Sequence, residues 1–290
     1  MAATRLERSC APAGADWLAG EAPARGVARL RARLQREAYA PHRHDTYTVS
    51  LTEHGVQEFG YRGTVHRSLP GQVAVLHPDE THDGRPGTAQ GFGYRSLYLE
   101  PGAVFEAVRA VAPRHGALPF VRAPVCHAPG LARLIGQAFD GPLEPLAADG
   151  LLQALAGELV RMARGGANDA AEGRAARVPI DLPALARAHD YLGTHCRRVV
   201  SSQELERVSG LSRFVLCVQF RQRYGTSPYR FLLMRRLDRV REWLAQGMAP
   251  AAVAADAGFA DQAHMTRAFK AAFGLTPSRY AALQAGSAAV

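Results

Sequence analysis

The stretch GLSRFVLCVQFRQRYGTSP (Gly210–Pro228) has a second, variant copy further along the chain, GFADQAHMTRAFKAAFGLTP (Gly258–Pro277). Phe220 and Phe269 lie 49 residues apart, as do Gly225 and Gly274, and Pro228 and Pro277. The leading glycines, Gly210 and Gly258, are 48 apart, which places one inserted residue near the start of the second copy's later helix. Each copy has the parts of a helix-turn-helix. In the first, Ser201 or Ser202 caps a helix through Glu204, Leu205 and Val208. Counted from Ser202, the residue three places on is Leu205, so no capping box is expected there. Gly210 turns the chain, Ser212 caps the next helix, and Leu216 and Phe220 point inward. In the second, Val253 and Ala254 fill the first helix, Gly258 turns, Asp261 opens the second helix, and Met265 and Phe269 point inward. Gly225 and Gly274 close the two later helices, because glycine takes the left-handed conformation at little cost.

A long helix is expected between the copies, from Pro228 to about Gln246, with Tyr229, Leu232, Leu233, Leu237, Val240 and Leu244 as its buried stripe. Arg235, Arg236, Arg239 and Arg241 lie among them. At 1.5 Å per residue such a helix spans roughly 25 Å. That length suits holding two helices near the ~34 Å spacing of successive major grooves on one face of DNA. Charge points the same way. The chain has 290 residues and a net charge of +9; residues 1–178 carry a net +2 and residues 179–290 a net +7. Concentrated positive charge favours a polyanionic partner.

The preceding half has a different grain. Tyr47, Val49 and Leu51 alternate with Thr48 and Ser50; Val73 and Val75 alternate likewise, and Tyr94–Leu99 is a further short run. Gly55, Gly60, Gly63, Pro70-Gly71, Pro78 and Gly84 punctuate them, as in a small barrel or jelly roll. A short helix is expected near 102–112, with Phe105 and Val108 on one side. Two amphipathic helices follow, one with Leu131, Leu134, Ile135, Ala138 and Phe139, the other with Leu151, Leu152, Leu155, Leu159 and Val160. They either cover the barrel or form a dimer seam. Residues 164–177, RGGANDAAEGRAAR, have the composition of a linker. The expected fold is therefore two-domain: an N-terminal all-β barrel with following helices, and a C-terminal all-α double helix-turn-helix. The expected boundaries are a flexible tail (1–26), a barrel domain with its following helices (27–163), a linker (164–178) and a double helix-turn-helix domain suited to a polyanion (179–290).

His42 and His44 sit two apart, on one face of a regular strand, and with His82 would make a three-nitrogen set. Against a metal, no carboxylate sits at the usual short spacing after His44; Glu53 is farther off. A polar pocket lining is the preferred reading, with no metal and no cofactor assigned. Tyr39, Arg43, Tyr47, Arg95 and Tyr98 are further pocket or outer-face residues, and an arginine inside the barrel would favour an anionic ligand. Four scattered cysteines, Cys10, Cys126, Cys196 and Cys217, build neither a disulfide scaffold nor a zinc finger. The first residues do not read as a secretory signal, and no apolar run is long enough to span a membrane. A cytoplasmic setting is expected.

The segment from about Ile180 to Leu283 resembles the DNA-binding domain of the AraC/XylS family of transcriptional regulators. Ala255–Lys270, Phe273-Gly-Leu-Thr-Pro277 and Tyr280 carry the resemblance. The strand-rich half resembles, more loosely, the cupin-like effector-binding domain that often precedes it. The stretches concerned are Pro41-His-Arg-His-Asp45 with Tyr47, Gly60-Tyr-Arg-Gly63, Leu69-Pro-Gly71 and His77-Pro-Asp-Glu-Thr-His82. The resemblance implies a regulator, by family habit an activator, that binds double-stranded promoter DNA as a homodimer, answers to a small-molecule effector and contacts RNA polymerase. It implies base reading by Gln262, Ala263, His264 and Arg267 in the second unit. Arg267 suits a guanine edge, Gln262 an adenine, and Ala263 only a thymine methyl. Thr266 and Lys270 suit phosphate. In the first unit the same positions are Phe214, Cys217 and Val218. Val218, aligned with Arg267, cannot donate a hydrogen bond, so this unit either reads thymine methyls, reads little, or places its neighbours on phosphates, with Arg213, Gln219, Arg221 and Arg223 as the candidate phosphate contacts. The effector-contacting set is His42, His44, Tyr47, His82 and Arg95, with no catalytic residues. The rival reading is a metal-dependent cupin enzyme with a DNA-binding tail.

Overall fold

A computed structural model describes residues 16–21, 23–165 and 180–288. Strand alternation organises the first half. β1 (Trp17–Gly20), β2 (Val27–Leu34), β9 (Phe92–Leu99), β4 (Tyr47–Gly55), β7 (Val73–Leu76) and β10 (Val125–Cys126) lie in that spatial order in one antiparallel sheet. β3 (Tyr39–His42), β8 (His82–Pro86), β5 (Gln57–Tyr61) and β6 (Thr64–Ser68) form a second. Successive side chains point to opposite faces of a strand. Val27, Tyr47, Val49, Val73, Val75, Leu97 and Leu99, all odd-numbered, share one core with α1 (Pro101–Val111), α2 (Pro129–Ala138) and α3 (Pro145–Gly165). The even positions Leu30, Ala32, Leu34, Phe92 and Tyr94 face the other way.

The expected tail is corrected at its end. Trp17–Gly20 pairs with Ala32, Leu18's partner, and its neighbours along β2, and Leu18 is buried. Residues 1–15 and 166–179, which hold the rest of the tail and most of the linker, lie outside the described residues. The apolar stripes of α2 and α3, with Leu131, Ile135, Leu155 and Leu159 fully buried, cover the sheet of their own chain.

The C-terminal half is helical: α4 (Leu182–Thr194), α5 (Ser202–Ser209), α6 (Arg213–Tyr224), α7 (Pro228–Ala245), α8 (Pro250–Asp256), α9 (Gln262–Phe273) and α10 (Pro277–Ala288). The internal repeat extends to the caps. Ser212 and Asp261, 49 apart, cap α6 and α9; Ser227 caps α7, and Thr276, 49 on, accepts from the Arg279 amide at the start of α10. α5 does carry a full capping box, but from Ser201 with Glu204, one register earlier than the serine from which none was expected. Gly225 and Gly274 take φ of +70° and +72° at the ends of α6 and α9. α7 has the expected stripe except Tyr229, which is 65% exposed on the first turn.

α7 serves two cores. Its Phe231 and Leu232 join Leu185, Leu192, Leu205, Leu216 and Phe220 in the core of the first unit. Met234, Leu237, Val240 and Leu244 join Val253, Met265, Phe269 and Leu283 of the second. That second core also contains Leu18, Leu30, Leu34, Phe92 and Tyr94 of the barrel, so the second unit and the sheet's even face bury one another. Each large apolar side chain so covered is worth about 1.5–3 kcal/mol. Among the described residues no helix is long and apolar enough to cross a membrane.

Candidate DNA-reading helices and an interdomain cavity

Both candidate recognition helices are anchored at their C-terminal ends and open at their N-terminal ends. A Cβ on Gly225 would stand 2.9 Å from Pro78 Cβ, and one on Gly274 would stand 2.8 Å from His42 Nδ1 and 2.9 Å from Ala40 O. Only glycine permits these approaches as well as the positive φ. The β3 backbone completes the end of α9: Ala40 N–H donates to Gly274 O at 3.0 Å and Arg43 N–H to Ala271 O at 3.1 Å. These bonds satisfy carbonyls that a helix end otherwise leaves unpaired.

The outward faces differ. On α9, Gln262, Ala263, Arg267 and Lys270 are exposed, and His264 and Thr266 are half-buried, with His264 edge-on to Phe259. On α6, Arg213, Phe214, Cys217, Val218 and Arg221 are exposed, Phe214 by 71% and Val218 by 52%. Two expected phosphate contacts are corrected. Gln219 is buried and accepts from the Asp181 amide at 2.9 Å, holding the start of α4. Arg223 is buried against the N-terminal domain, with Glu106 at 3.0 Å.

The C-terminal excess of positive charge is partly spent at the same boundary. Arg223 pairs with Glu106, Arg230 with Asp79, Arg235 with Asp45 and Arg279 with Glu37 and Asp16. Four arginines are therefore committed to acids of the N-terminal half and are withdrawn from any polyanion while this arrangement persists.

A cavity of about 590 Å³ lies between the sheets and α7, α9 and α10. This is within the ~300–1,000 Å³ range of small-molecule sites. Strand parity explains its lining. Thr48 and Ser50 of β4 and Tyr94, Ser96 and Tyr98 of β9 face it. Tyr47 and Arg95, both expected to contact an effector, sit on the opposite face of the same strands. The Tyr47 hydroxyl donates to Pro119 O at 2.9 Å, and Arg95 pairs with Glu53 at 2.7 Å over the Phe139 ring. Tyr94 was not singled out in the sequence, although its place two residues before Ser96 and four before Tyr98 on one strand face was readable. Its hydroxyl meets that of Tyr39 at 2.9 Å. The four arginines lining the cavity, Arg29, Arg235, Arg239 and Arg241, each have a carboxylate partner. Ser96 Oγ and Gln57 Oε1 have no hydrogen-bond partner among the described residues.

His42, His44 and His82 do come together, all buried, at the wall of this cavity. Burial, with His82 alongside, pushes His42 down to about 3; burial and the two other imidazoles hold His44 well below its ordinary value, and burial lowers His82. Burial thus favours the neutral form of each ring. Arg43 is half exposed outside the set, near Asp79. Cys126, Cys196 and Cys217 are free thiols, and Cys10 lies outside the described residues.

A ligand-sized cavity walled on one side by a barrel and on the other by a double helix-turn-helix, with two exposed candidate recognition helices beyond, fits a DNA-binding regulator with a built-in ligand chamber. Comparison with known proteins agrees. Residues 25–159 match the AraC-like ligand binding domain family and residues 205–282 a helix-turn-helix domain family. The chain is 24% identical over 232 residues to the HTH-type transcriptional regulator YbfI of Bacillus subtilis, covering 79% of this chain and 82% of that one. It is 29% identical over 92 residues to the probable transcriptional regulator LumQ of Photobacterium leiognathi, a match spanning 31% of this chain and 37% of LumQ. The fold is that of ToxT from Vibrio cholerae, with a TM-score of 0.64 at 10% identity over 89% of this chain and 99% of ToxT. A second ToxT structure, with unsaturated fatty acid bound, gives 0.64 at 12% identity over 90% of this chain and 96% of that one. The chain thus joins an AraC-like ligand-binding domain to a helix-turn-helix domain, the make-up of an AraC-type transcriptional regulator. Nothing in these likenesses points to the cupin-enzyme alternative.

Proposed function

We propose that the chain binds promoter DNA through α6 and α9 and that a small molecule in the interdomain cavity sets how the two helices are presented. The observation that carries this reading is the position of the cavity: its walls include both the barrel and the helices that hold the second unit, so a ligand there touches both. A ligand with different affinities for two arrangements shifts their populations, and nothing more is needed for control.

On this reading Gln262, Ala263, His264 and Arg267 read bases and Thr266 and Lys270 take phosphates. In the first unit Arg213 and Arg221 take phosphates, while Phe214, Cys217 and Val218 offer apolar contact. The effector is uncharged or cationic. Six acids line the cavity, of which Glu21, Asp45, Asp238 and Glu242 pair with its four arginines; Asp83 and Glu100 remain as a negative surplus, which disfavours a carboxylate such as a fatty acid. The unpartnered Ser96 Oγ and Gln57 Oε1 call for a hydrogen-bonding ligand. A regulator without enzymatic activity, acting in the cytoplasm, rests on the likeness to transcriptional regulators. A homodimer would use the outer faces of α2 and α3, where Leu146 is exposed, since their inner stripes are consumed. Activation through RNA polymerase rests on the family resemblance.

The test is Arg267→Ala, assayed on a duplex selected by the full chain from a random pool. Its side chain is exposed, so folding should be unaffected. Loss of a guanine contact costs ~1–3 kcal/mol of discrimination, about fivefold or more in affinity for the selected duplex over random DNA. An unchanged ratio overturns the assignment.

A further inference from the structure

Three imidazoles meet at the junction of β3 and β8. The ring centroids of His42 and His82 are 4.3 Å apart, those of His44 and His82 4.9 Å, and those of His42 and His44 6.1 Å. The three are 9%, 6% and 6% exposed. Each turns Nδ1 to a main-chain carbonyl: His42 to Ala40 O at 2.8 Å, His44 to Thr46 O at 3.1 Å, and His82 to Glu80 O at 3.0 Å. A carbonyl can only accept, so each Nδ1 carries the hydrogen and each Nε2 is left with its lone pair. His44 Nε2 accepts from Thr48 Oγ1 at 3.1 Å. Nε2 of His42 and of His82 makes no hydrogen bond among the described residues.

Three buried imidazoles packed for stability alone would not need the same tautomer and the same tie to the backbone. Metal-binding histidines use that arrangement: the far nitrogen donates to a carbonyl, which fixes the tautomer and raises the basicity of the nitrogen that binds. The ligand atoms of the three lie within 4.8 Å of one another. Nitrogens bound tetrahedrally at ~2.0–2.1 Å stand roughly 3.3 Å apart, so the rings close in by up to about 1.5 Å on binding. The set has no thiolate or carboxylate, and all-imidazole sites suit Co²⁺, Ni²⁺, Cu²⁺ and Zn²⁺ rather than Mg²⁺ or Ca²⁺. The surplus of carboxylates around the cavity offsets the charge of the cation.

The strand that brings His42 also holds α9. Ala40 and Arg43, on either side of His42, donate to the last carbonyls of α9, and His42 Nδ1 abuts Gly274. We propose that His42, His44 and His82 bind one divalent late-first-row transition metal through their Nε2 atoms, and that the occupied site clamps β3 to the C-terminal turn of α9. The binding stands on its own; its consequence for DNA rests on α9 being a recognition helix.

The full chain, free of any affinity tag and stripped with chelator, is titrated with Co²⁺ and then Zn²⁺. The expected result is one equivalent bound, visible d–d absorption from bound Co²⁺ that Zn²⁺ abolishes, and a loss of affinity of at least about tenfold in His44→Ala and in the shape-preserving His82→Gln. Thermal unfolding of both variants in chelator confirms that they fold. Binding that is substoichiometric, or undiminished in both folded variants, overturns the site. Amide exchange at Ala40 and Arg43 should slow on adding Zn²⁺, and unchanged exchange there overturns the clamp. With a selected duplex, Zn²⁺ should shift affinity by about fivefold or more. No DNA binding by either the stripped or the loaded chain would sink the regulator reading, while the stoichiometry and exchange results would still decide the metal site.

Discussion

The two helix-turn-helix units descend from one pattern and stand on different foundations. The first closes its own core around Phe220 and meets the N-terminal domain at its edge, through Arg223, Gly225 and the arginines of α7. The second has no separate core: Phe269 lies in a cluster that runs from Leu18 on β1 to Leu283 on α10. Their outward faces are reversed in character too, Phe214 and Val218 on one, Gln262, Arg267 and Lys270 on the other. On the proposed reading, the unit that reads sequence is the one that shares its core with the barrel. A ligand that moved the chamber wall would then move that reader, with the first unit as a more independent grip.

The sharpest way to break this contrast is to cut the equivalent aromatic from each core. Phe269→Ala and Phe220→Ala should each cost about 3–5 kcal/mol locally. Amide exchange should show β2 and β9 loosened by Phe269→Ala and left intact by Phe220→Ala; equal effects on the sheet would erase the distinction.

Acid offers a second handle. Burial, with Arg62 alongside, pushes His77 down to about 4, and its Nε2 accepts from the Val121 amide at 3.0 Å. The unfolded chain titrates this imidazole near ~6.5, so between the two values it holds a proton that the folded chain lacks. Stability from this group is complete above pH ~6.5 and declines as pH falls toward 4, by about 3 kcal/mol in all. Denaturant melts of wild type and His77→Gln across that window should differ in slope in this sense. The second unit, which shares a core with the barrel, should loosen with it before the first does.

Smaller effects test the faces and the boundary. Val218→Ala should change affinity for the selected duplex less than about twofold, in contrast to Arg267→Ala, because a truncated apolar contact forfeits no hydrogen bond. Glu106→Gln removes the half-exposed partner of Arg223 and should cost under about 1 kcal/mol in thermal stability. A larger loss would mean that the first unit depends on the N-terminal domain more than its separate core implies.

Local signals were legible. The 49-residue repeat, the capping Ser212 and Asp261, the two closing glycines and the inward Leu216, Phe220, Met265 and Phe269 are all consequences of near-neighbour chemistry, and each has its place in the helices observed. So are the strands around Val49, Val75 and Leu97. The cavity lining was only partly legible: His42, His44 and His82 belong to it, Tyr47 and Arg95 do not. Alternation puts Tyr47 and Arg95 on one face and Thr48, Ser50 and Tyr94 on the other, but the sequence does not say which face meets helices α1–α3 and which meets the cavity. Gln219 and Arg223 misled for a related reason: polar side chains on a recognition helix look free until the elements behind them are placed.

By itself the sequence determined the two-part plan and the double helix-turn-helix, because turns, caps and periodicities act over a few residues and repeat visibly. Only the tertiary structure decided that the second unit and the barrel bury one another, that arginines of the basic half are spent on acids of the other half, and that His82 closes on His42 and His44 beside the end of α9. Those contacts join residues as much as 265 positions apart, as with Leu18 and Leu283. Burial energy at such a distance depends on which surfaces meet, and no local pattern encodes that.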